Sequence, residues 1–199
     1  MQITDLAQEE KILPIFRLGF RPFFLAGALF SIVALVIWSL IYHGTFNIAV
    51  YGGGYFWHIH EMIFGFGCAI IVGFLLTAVQ NWTGVRGVSG PTLAILFTIW
   101  LLGRLTLLVP EITGYVVTSI IDLIFLPYAG YLLGKPIVRI KQYRNLIFVP
   151  ILLGFTLLNF MMHLSALGKV SINISYIAYA SVILVTLLMS IMAGRVTPM

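Results

Sequence analysis

The chain has 199 residues, of which 61% are hydrophobic and only 9% charged, with a formal net charge of +5 and a mean hydropathy of +1.08. A soluble domain carries about a quarter charged residues to hydrate its surface, so a soluble globule is excluded, and so apolar a chain collapses rather than staying disordered. The basic residues are spread between long apolar runs instead of clustering with exposed aromatics; this excludes nucleic acid as a partner and leaves a membrane protein with basic loops.

A spanning helix needs roughly 20 mainly apolar residues. Six stretches qualify, about 23–42, 58–79, 92–109, 113–133, 146–167 and 174–193. In lipid each must be a helix, because no water is present to satisfy an irregular backbone. The predicted fold is therefore all-α: a polytopic membrane bundle of six transmembrane helices, forming a single domain over residues 1–199. The first run is too long for a signal-peptide core, holds Trp38 and lacks a small-residue cleavage site, so it is read as a retained span. Turn signals separate the runs: Gly52-Gly53-Gly54, Gly84 to Pro91, Pro110, Gly134-Lys135-Pro136 and Gly168. Pro127 falls inside the fourth span and is expected to kink or loosen it. The single cysteine, Cys68, lies inside an apolar run, which excludes an internal disulfide and marks it as a small core residue.

Orientation follows from the positive charges. Lys11, Arg17, Arg21, Arg86, Lys135, Arg139, Lys141, Arg144 and Arg195 fall on one side of the predicted bundle and Lys169 alone on the other. The positive-inside rule then places both termini in the cytoplasm. It also turns Tyr51, Tyr55 and Trp57 outward as an interfacial aromatic belt. Arg17 and Arg21, one helical turn apart, are read as contacts to lipid phosphate, and the run from Lys135 to Arg144 as a contact to anionic lipid.

The same orientation collects the polar residues at one depth. His43 closes span one at the outer face, His58 and His60 open span two there, and His163 lies one turn from the outer end of span five. Glu61, Arg104 and Asp122 lie within the outer half of spans two, three and four. Ionisable groups in a bilayer cost about 2.5–3.5 kcal/mol each on insertion scales and so face an interior site. Arg104 meets Asp122 if their helix faces oppose, and a structural ion pair of Arg104 with Asp122 or Glu61 is one reading of these three. His43 reads as an interfacial anchor.

The segment Trp57-His58-Ile59-His60-Glu61-Met62 carries more. His58, Glu61 and Met62 stand at i, i+3 and i+4, hence on one helix face, with His60 roughly opposite His58. Imidazole suits haem iron, copper and zinc, and thioether sulfur suits copper(I) or haem. His163 has Asn159 at i−4 as a partner for orienting its ring. On the residues alone, a metal or haem site built from His58, His60, His163 and Met62 stands beside a set of purely structural histidines. Gly65-Phe66-Gly67 and Gly73 on span two permit close helix packing or leave room for a flat cofactor.

Several stretches taken together carry a resemblance. They are Phe16-Arg17-Leu18-Gly19-Phe20-Arg21-Pro22-Phe23-Phe24-Leu25, Trp57-His58-Ile59-His60-Glu61-Met62-Ile63-Phe64-Gly65-Phe66, Gly73-Phe74-Leu75-Leu76-Thr77-Ala78-Val79 with Asn81-Trp82-Thr83-Gly84, Arg104, the Asn159/His163 pair and Gly194-Arg195-Val196-Thr197-Pro198-Met199. From Phe16 to Met199 the chain resembles the NnrS family, bacterial membrane proteins described as containing haem and copper and associated with denitrification and nitric-oxide defence. The resemblance implies an inner-membrane protein with its histidines toward the periplasm, binding haem b and, secondarily, copper. It carries over His58, His60 and His163, with Glu61, Arg104 and Asn159 beside them. The implied role is nitric-oxide binding or electron transfer, and nitric oxide and membrane lipids are the implied partners. The chain matches about half the usual length of that family, so a second copy or another membrane subunit is expected to complete the bundle. Two rival readings remain: a non-catalytic or cytochrome-like subunit of a larger respiratory membrane complex, and an ion- or proton-conducting module.

Overall fold

The computed structural model describes residues 11–196, with side chains through Gly194. The chain is 80% helical, with no strand among the described residues. Six helices are long and apolar enough to cross a membrane: α1 (Phe20–Tyr42), α2 (Gly54–Thr83), α3 (Pro91–Leu108), α4 (Tyr115–Arg139), α5 (Phe148–Ala166) and α6 (Ile174–Val196). The chain is a multi-pass membrane protein, as its composition requires. Short 3-10 turns precede α1 (Pro14–Phe16) and α5 (Tyr143–Ile147), and one helical turn, Pro110–Thr113, joins α3 to α4.

Two helices form the centre. α4 packs on α3, α5 and α2, while α2 also packs on α1; α6 lies on α5. α2 buries Val72, Leu75, Leu76 and Val79, and α4 buries Phe125, Leu126, Ala129 and Leu133. On α1 the residues Leu25, Leu29, Ile32 and Val36, spaced i, i+4, i+7 and i+11, form an exposed apolar stripe that suits lipid.

Lipid is as apolar as leucine, so these helices associate through close packing and hydrogen bonds rather than through the hydrophobic effect. The crossing of α1 with α2 shows how. A Cβ at Gly19 would lie 2.9 Å from Leu76 Cβ, and one at Gly73 would lie 2.8 Å from Phe23 Cβ. At that close approach Phe20 N donates to Thr77 Oγ1 at 2.9 Å, and Thr77 Oγ1 donates to the Gly73 carbonyl at 2.8 Å. The quoted stretch Gly73–Val79 thus packs against the first stretch, Phe16–Leu25. Arg17 Nε and Arg21 Nη1 donate to the Ile12 and Pro14 carbonyls, at 3.0 and 2.8 Å, and so tie down the segment that enters α1. The Thr197-Pro198-Met199 end of the final motif and the acidic N-terminus lie outside the described residues.

Two local expectations change. The signal Gly134-Lys135-Pro136 does not end the fourth span; α4 runs unbroken through both Pro127 and Pro136 to Arg139. A proline removes only its own N–H, and continuing the helix keeps the Pro136 carbonyl paired, with Ile140 N at 3.3 Å. Span two, in contrast, is not uniform. Glu61–Gly67 is π-helical, and Cys68 N bonds back to the Ile63 carbonyl five residues earlier. Within this widened turn the Gly65 carbonyl accepts a hydrogen bond from Trp100 Nε1 on α3 at 2.9 Å. π-segments of this kind are frequent at functional sites.

Candidate metal site at one end of the bundle

Six helix-borne polar residues and one loop tyrosine converge beneath the connection between α1 and α2. His60 and Glu61 come from the junction of α2 with its π-segment, Arg104 from the last turns of α3, Asp122 from α4, and Asn159 and His163 from α5. All six of these side chains are buried, and Tyr51 from the connecting loop is fully enclosed with them. The surrounding wall is apolar, with Phe56 stacked on His60 and Phe64 tilted against it.

Asp122 is the hub. Its Oδ2 lies 3.2 Å from His60 Nε2, 3.0 Å from His163 Nε2 and 2.7 Å from Asn159 Nδ2, which donates to it. Its Oδ1 is paired with Arg104 Nη2. Arg104 Nη1 lies 3.1 Å from Glu61 Oε2, so the guanidinium bridges both carboxylates. The Phe30 ring faces the same guanidinium, 6.0 Å away. Two glycines make the approach possible. A Cβ at Gly65 would collide with both Glu61 Oε2 and Arg104 Nη1, and one at Gly103 would sit 3.1 Å from Asp122 Oδ1.

Each imidazole is held at its other nitrogen. His60 Nδ1 lies 3.3 Å from Glu61 Oε1, and His163 Nδ1 lies 3.1 Å from Tyr51 Oη. Both rings are thereby turned so that Nε2 faces the Asp122 carboxylate. Tyr51 Oη also meets Ser119 Oγ at 2.6 Å. Burial is the largest cause of the upward shift of the Tyr51 phenol, so it stays a neutral O–H at physiological pH.

The cluster holds two carboxylates and one guanidinium, a formal excess of one negative charge when both rings are neutral. An uncompensated ion at this depth is costly, so the site calls for one more positive charge, which a proton on His60, set between Glu61 and Asp122, or a metal ion between the carboxylate and the rings supplies. His60, Asp122 and His163 each offer one ligand atom, all within 4.8 Å of one another. Two imidazole nitrogens and one carboxylate oxygen suit a single copper(II), iron(II) or zinc ion.

The same geometry does not suit a haem gripped between the two imidazoles. The His60 and His163 rings meet edge to face with centroids 5.2 Å apart, and the Asp122 carboxylate and Asn159 amide fill the space between their Nε2 atoms. A macrocycle has no slot there, whereas one ion replaces only protons.

The structure brings together His60, Glu61, Arg104, Asp122, Asn159 and His163 of the residues singled out in the sequence. His58 and Met62 stand apart. His58 stacks on Trp38 of α1, with centroids 4.0 Å apart and planes 18° from parallel. Met62 is half-buried and packs against the apolar core. His58 and Glu61 do not share a site, since Glu61 turns with His60 toward Arg104. Asn159 bonds His60 and Asp122 rather than its neighbour His163. His43 is exposed in the loop beside Tyr42. Tyr51 and Ser119 are additions. Tyr51 reads as an interfacial aromatic in the sequence, and only its position before Gly52-Gly53, which turns the chain back into α2, hints that it points inward.

A family model described as NnrS protein matches residues 14–199. No curated protein and no solved structure matches the chain.

Proposed function

Because the chain belongs to the NnrS family, a family of metal-binding, nitric-oxide-related membrane proteins, we propose that it binds one redox-active metal ion through His60 Nε2, His163 Nε2 and Asp122 Oδ2. The ion serves nitric-oxide metabolism, by gas binding or by electron transfer. One observation carries this reading: two rings from different helices both aim Nε2 at one buried carboxylate, while each Nδ1 is held from behind. A purely structural cluster does not need that double orientation, but metal ligands do.

Copper is the ion that best joins the donor set to the family, and its open coordination positions supply a place for nitric oxide or a one-electron couple. The residues of the chain do the rest. Asp122 contributes the anionic ligand, and Arg104 holds its other oxygen. Glu61 and Tyr51 fix the two rings. Phe56, Phe64 and the close helix packing keep bulk water out, and nitric oxide, small and weakly polar, enters from the bilayer. The asymmetry of Lys and Arg supports an inner-membrane placement with both termini cytoplasmic, which turns the site toward the periplasm. A second copy or another membrane subunit is the natural occupant of the exposed faces of α1 and α6.

The test is copper-loaded protein in lipid nanodiscs, titrated anaerobically with nitric oxide and followed by electron paramagnetic resonance. A copper(II) signal that changes stoichiometrically with nitric oxide, and is absent from His60→Ala and His163→Ala, supports the reading. A stoichiometric Soret band that tracks these histidines, with no copper signal, overturns it in favour of haem.

A further inference from the structure

We propose that Tyr51, on the loop between α1 and α2, is a positioning residue for the metal: backed by Ser119, its hydroxyl holds His163 with the ring proton on Nδ1, so that Nε2 faces the ion. The inference rests on the metal reading above and extends it to a residue outside the spans.

Tyr51 is placed rigidly. Its backbone N–H donates to the Leu107 carbonyl at the end of α3, at 3.0 Å. Its ring packs edge-on against His163, with centroids 5.3 Å apart, and lies tilted against Tyr115. From this position the hydroxyl sits in a line of polar atoms: His163 Nδ1, Tyr51 Oη at 3.1 Å, Ser119 Oγ at 2.6 Å and the Tyr115 carbonyl at 2.9 Å.

The last link gives the line its direction. A carbonyl only accepts, so Ser119 donates to Tyr115 and has a lone pair left for the Tyr51 hydroxyl. When Tyr51 donates to Ser119, Tyr51 Oη has a lone pair left for His163 Nδ1–H. Every N–H and O–H of the line is then paired, and His163 Nε2 is bare and aimed at Asp122, so that the two facing lone pairs are left for a metal ion to satisfy. When instead Nε2 carries the proton toward Asp122, the Tyr51 hydroxyl turns and donates to Nδ1. The two states differ by one proton moved between Nε2 and Nδ1 and by rotation of both hydroxyls, Ser119 turning from Tyr115 to donate to Tyr51 in the second, with ring and phenol neutral in both. Tyr51 and Ser119 thus serve either tautomer, and only they make the ligand tautomer free of a buried unpaired N–H.

Copper(II) affinity, measured by chelator competition in nanodiscs, tests this. Tyr51→Phe keeps the ring packing and removes the hydroxyl, and is expected to weaken copper(II) binding about 10–100-fold, the usual effect of losing a partner that orients a ligand. Ser119→Thr keeps the oxygen and should stay near wild type. Thr118→Val is the control for mere stability. Thr118 is buried one residue away and bonds Thr113 at 2.7 Å, without reaching the site. It should lower thermal stability while leaving copper affinity unchanged. In zinc-loaded protein with 15N-labelled histidine, the His163 Nδ1–H resonance seen in wild type should lose its hydrogen-bonded shift in Tyr51→Phe. The inference is overturned alone if wild type binds copper and Tyr51→Phe stays within twofold with an unchanged resonance, or if Thr118→Val weakens binding equally. If wild type binds neither copper nor zinc, both this inference and the metal reading fail.

Discussion

Asp122→Asn is the substitution that probes the site most deeply, because it changes charge and almost nothing else. The amide keeps the volume, but the hub loses its anion. With both rings neutral, the cluster passes from one excess negative charge to neutrality, with Glu61 the sole remaining carboxylate partner of Arg104. Removing one partner of a buried ion pair costs about 3–5 kcal/mol, and the restored neutrality places this change near the lower end. The larger effect concerns the metal. In wild-type protein, an ion present at 100 times its dissociation constant adds about 2.7 kcal/mol of stability. For a chain of this size that corresponds to a rise in Tm of roughly 5–11 °C. The assay is thermal unfolding in nanodiscs with and without copper, paired with metal content by mass spectrometry. Asp122→Asn should unfold at lower temperature without copper and show almost no copper-induced rise. A variant that retains both the wild-type copper content and the wild-type rise in Tm would refute the assignment of Asp122 as a ligand.

Three further substitutions separate the parts of the account. Gly65→Ala places a methyl group against the Glu61–Arg104 pair and 2.9 Å from Phe30 Cε1; it should cost about 1–3 kcal/mol of stability from overpacking and lower metal content together, and normal unfolding in detergent would contradict the closeness of that contact. His58→Ala should lose only the stack on Trp38, about 0.5–1.5 kcal/mol, and keep full metal stoichiometry by mass spectrometry; a loss equal to that of His60→Ala would return His58 to the site. Trp100→Phe removes the donor to the Gly65 carbonyl at the cost of about 1 kcal/mol, and amide exchange should rise specifically across Glu61–Gly67; unchanged exchange there would show that the π-segment does not depend on this bond.

The large features were legible in the sequence because the bilayer enforces them. Six apolar runs of sufficient length had to be helices, and the structure has six, with Phe20–Tyr42 and Ile174–Val196 close to the expected limits. Arg104 and Asp122 meet because ions within the bilayer require partners. What the sequence hid was rotation. Regular α-helical spacing puts His58, Glu61 and Met62 on one face, but the chain enters a π-segment at Glu61, and it is His60 and Glu61 that turn into the bundle. Nothing in the local sequence distinguishes a seven-residue π-segment from regular helix; the hydrogen bond that the Gly65 carbonyl within it accepts comes from Trp100, 35 residues away. Pro136 misled for the opposite reason: it is a strong breaker in water, yet at the end of a spanning helix the backbone gains nothing by stopping. Tyr51 was hidden because an aromatic residue at a membrane interface ordinarily anchors to headgroups, and only the fold of its loop turns it inward onto His163.

The central claim is that one metal ion sits between His60, His163 and Asp122. X-ray absorption spectroscopy at the copper edge of the purified, copper-loaded protein tests it most directly. The account predicts one copper per chain, with two imidazole nitrogens and a carboxylate oxygen at about 2.0–2.2 Å, and no porphyrin band in the visible spectrum. A shell containing thioether sulfur, or a protein that carries haem in place of a protein-ligated ion, would contradict it.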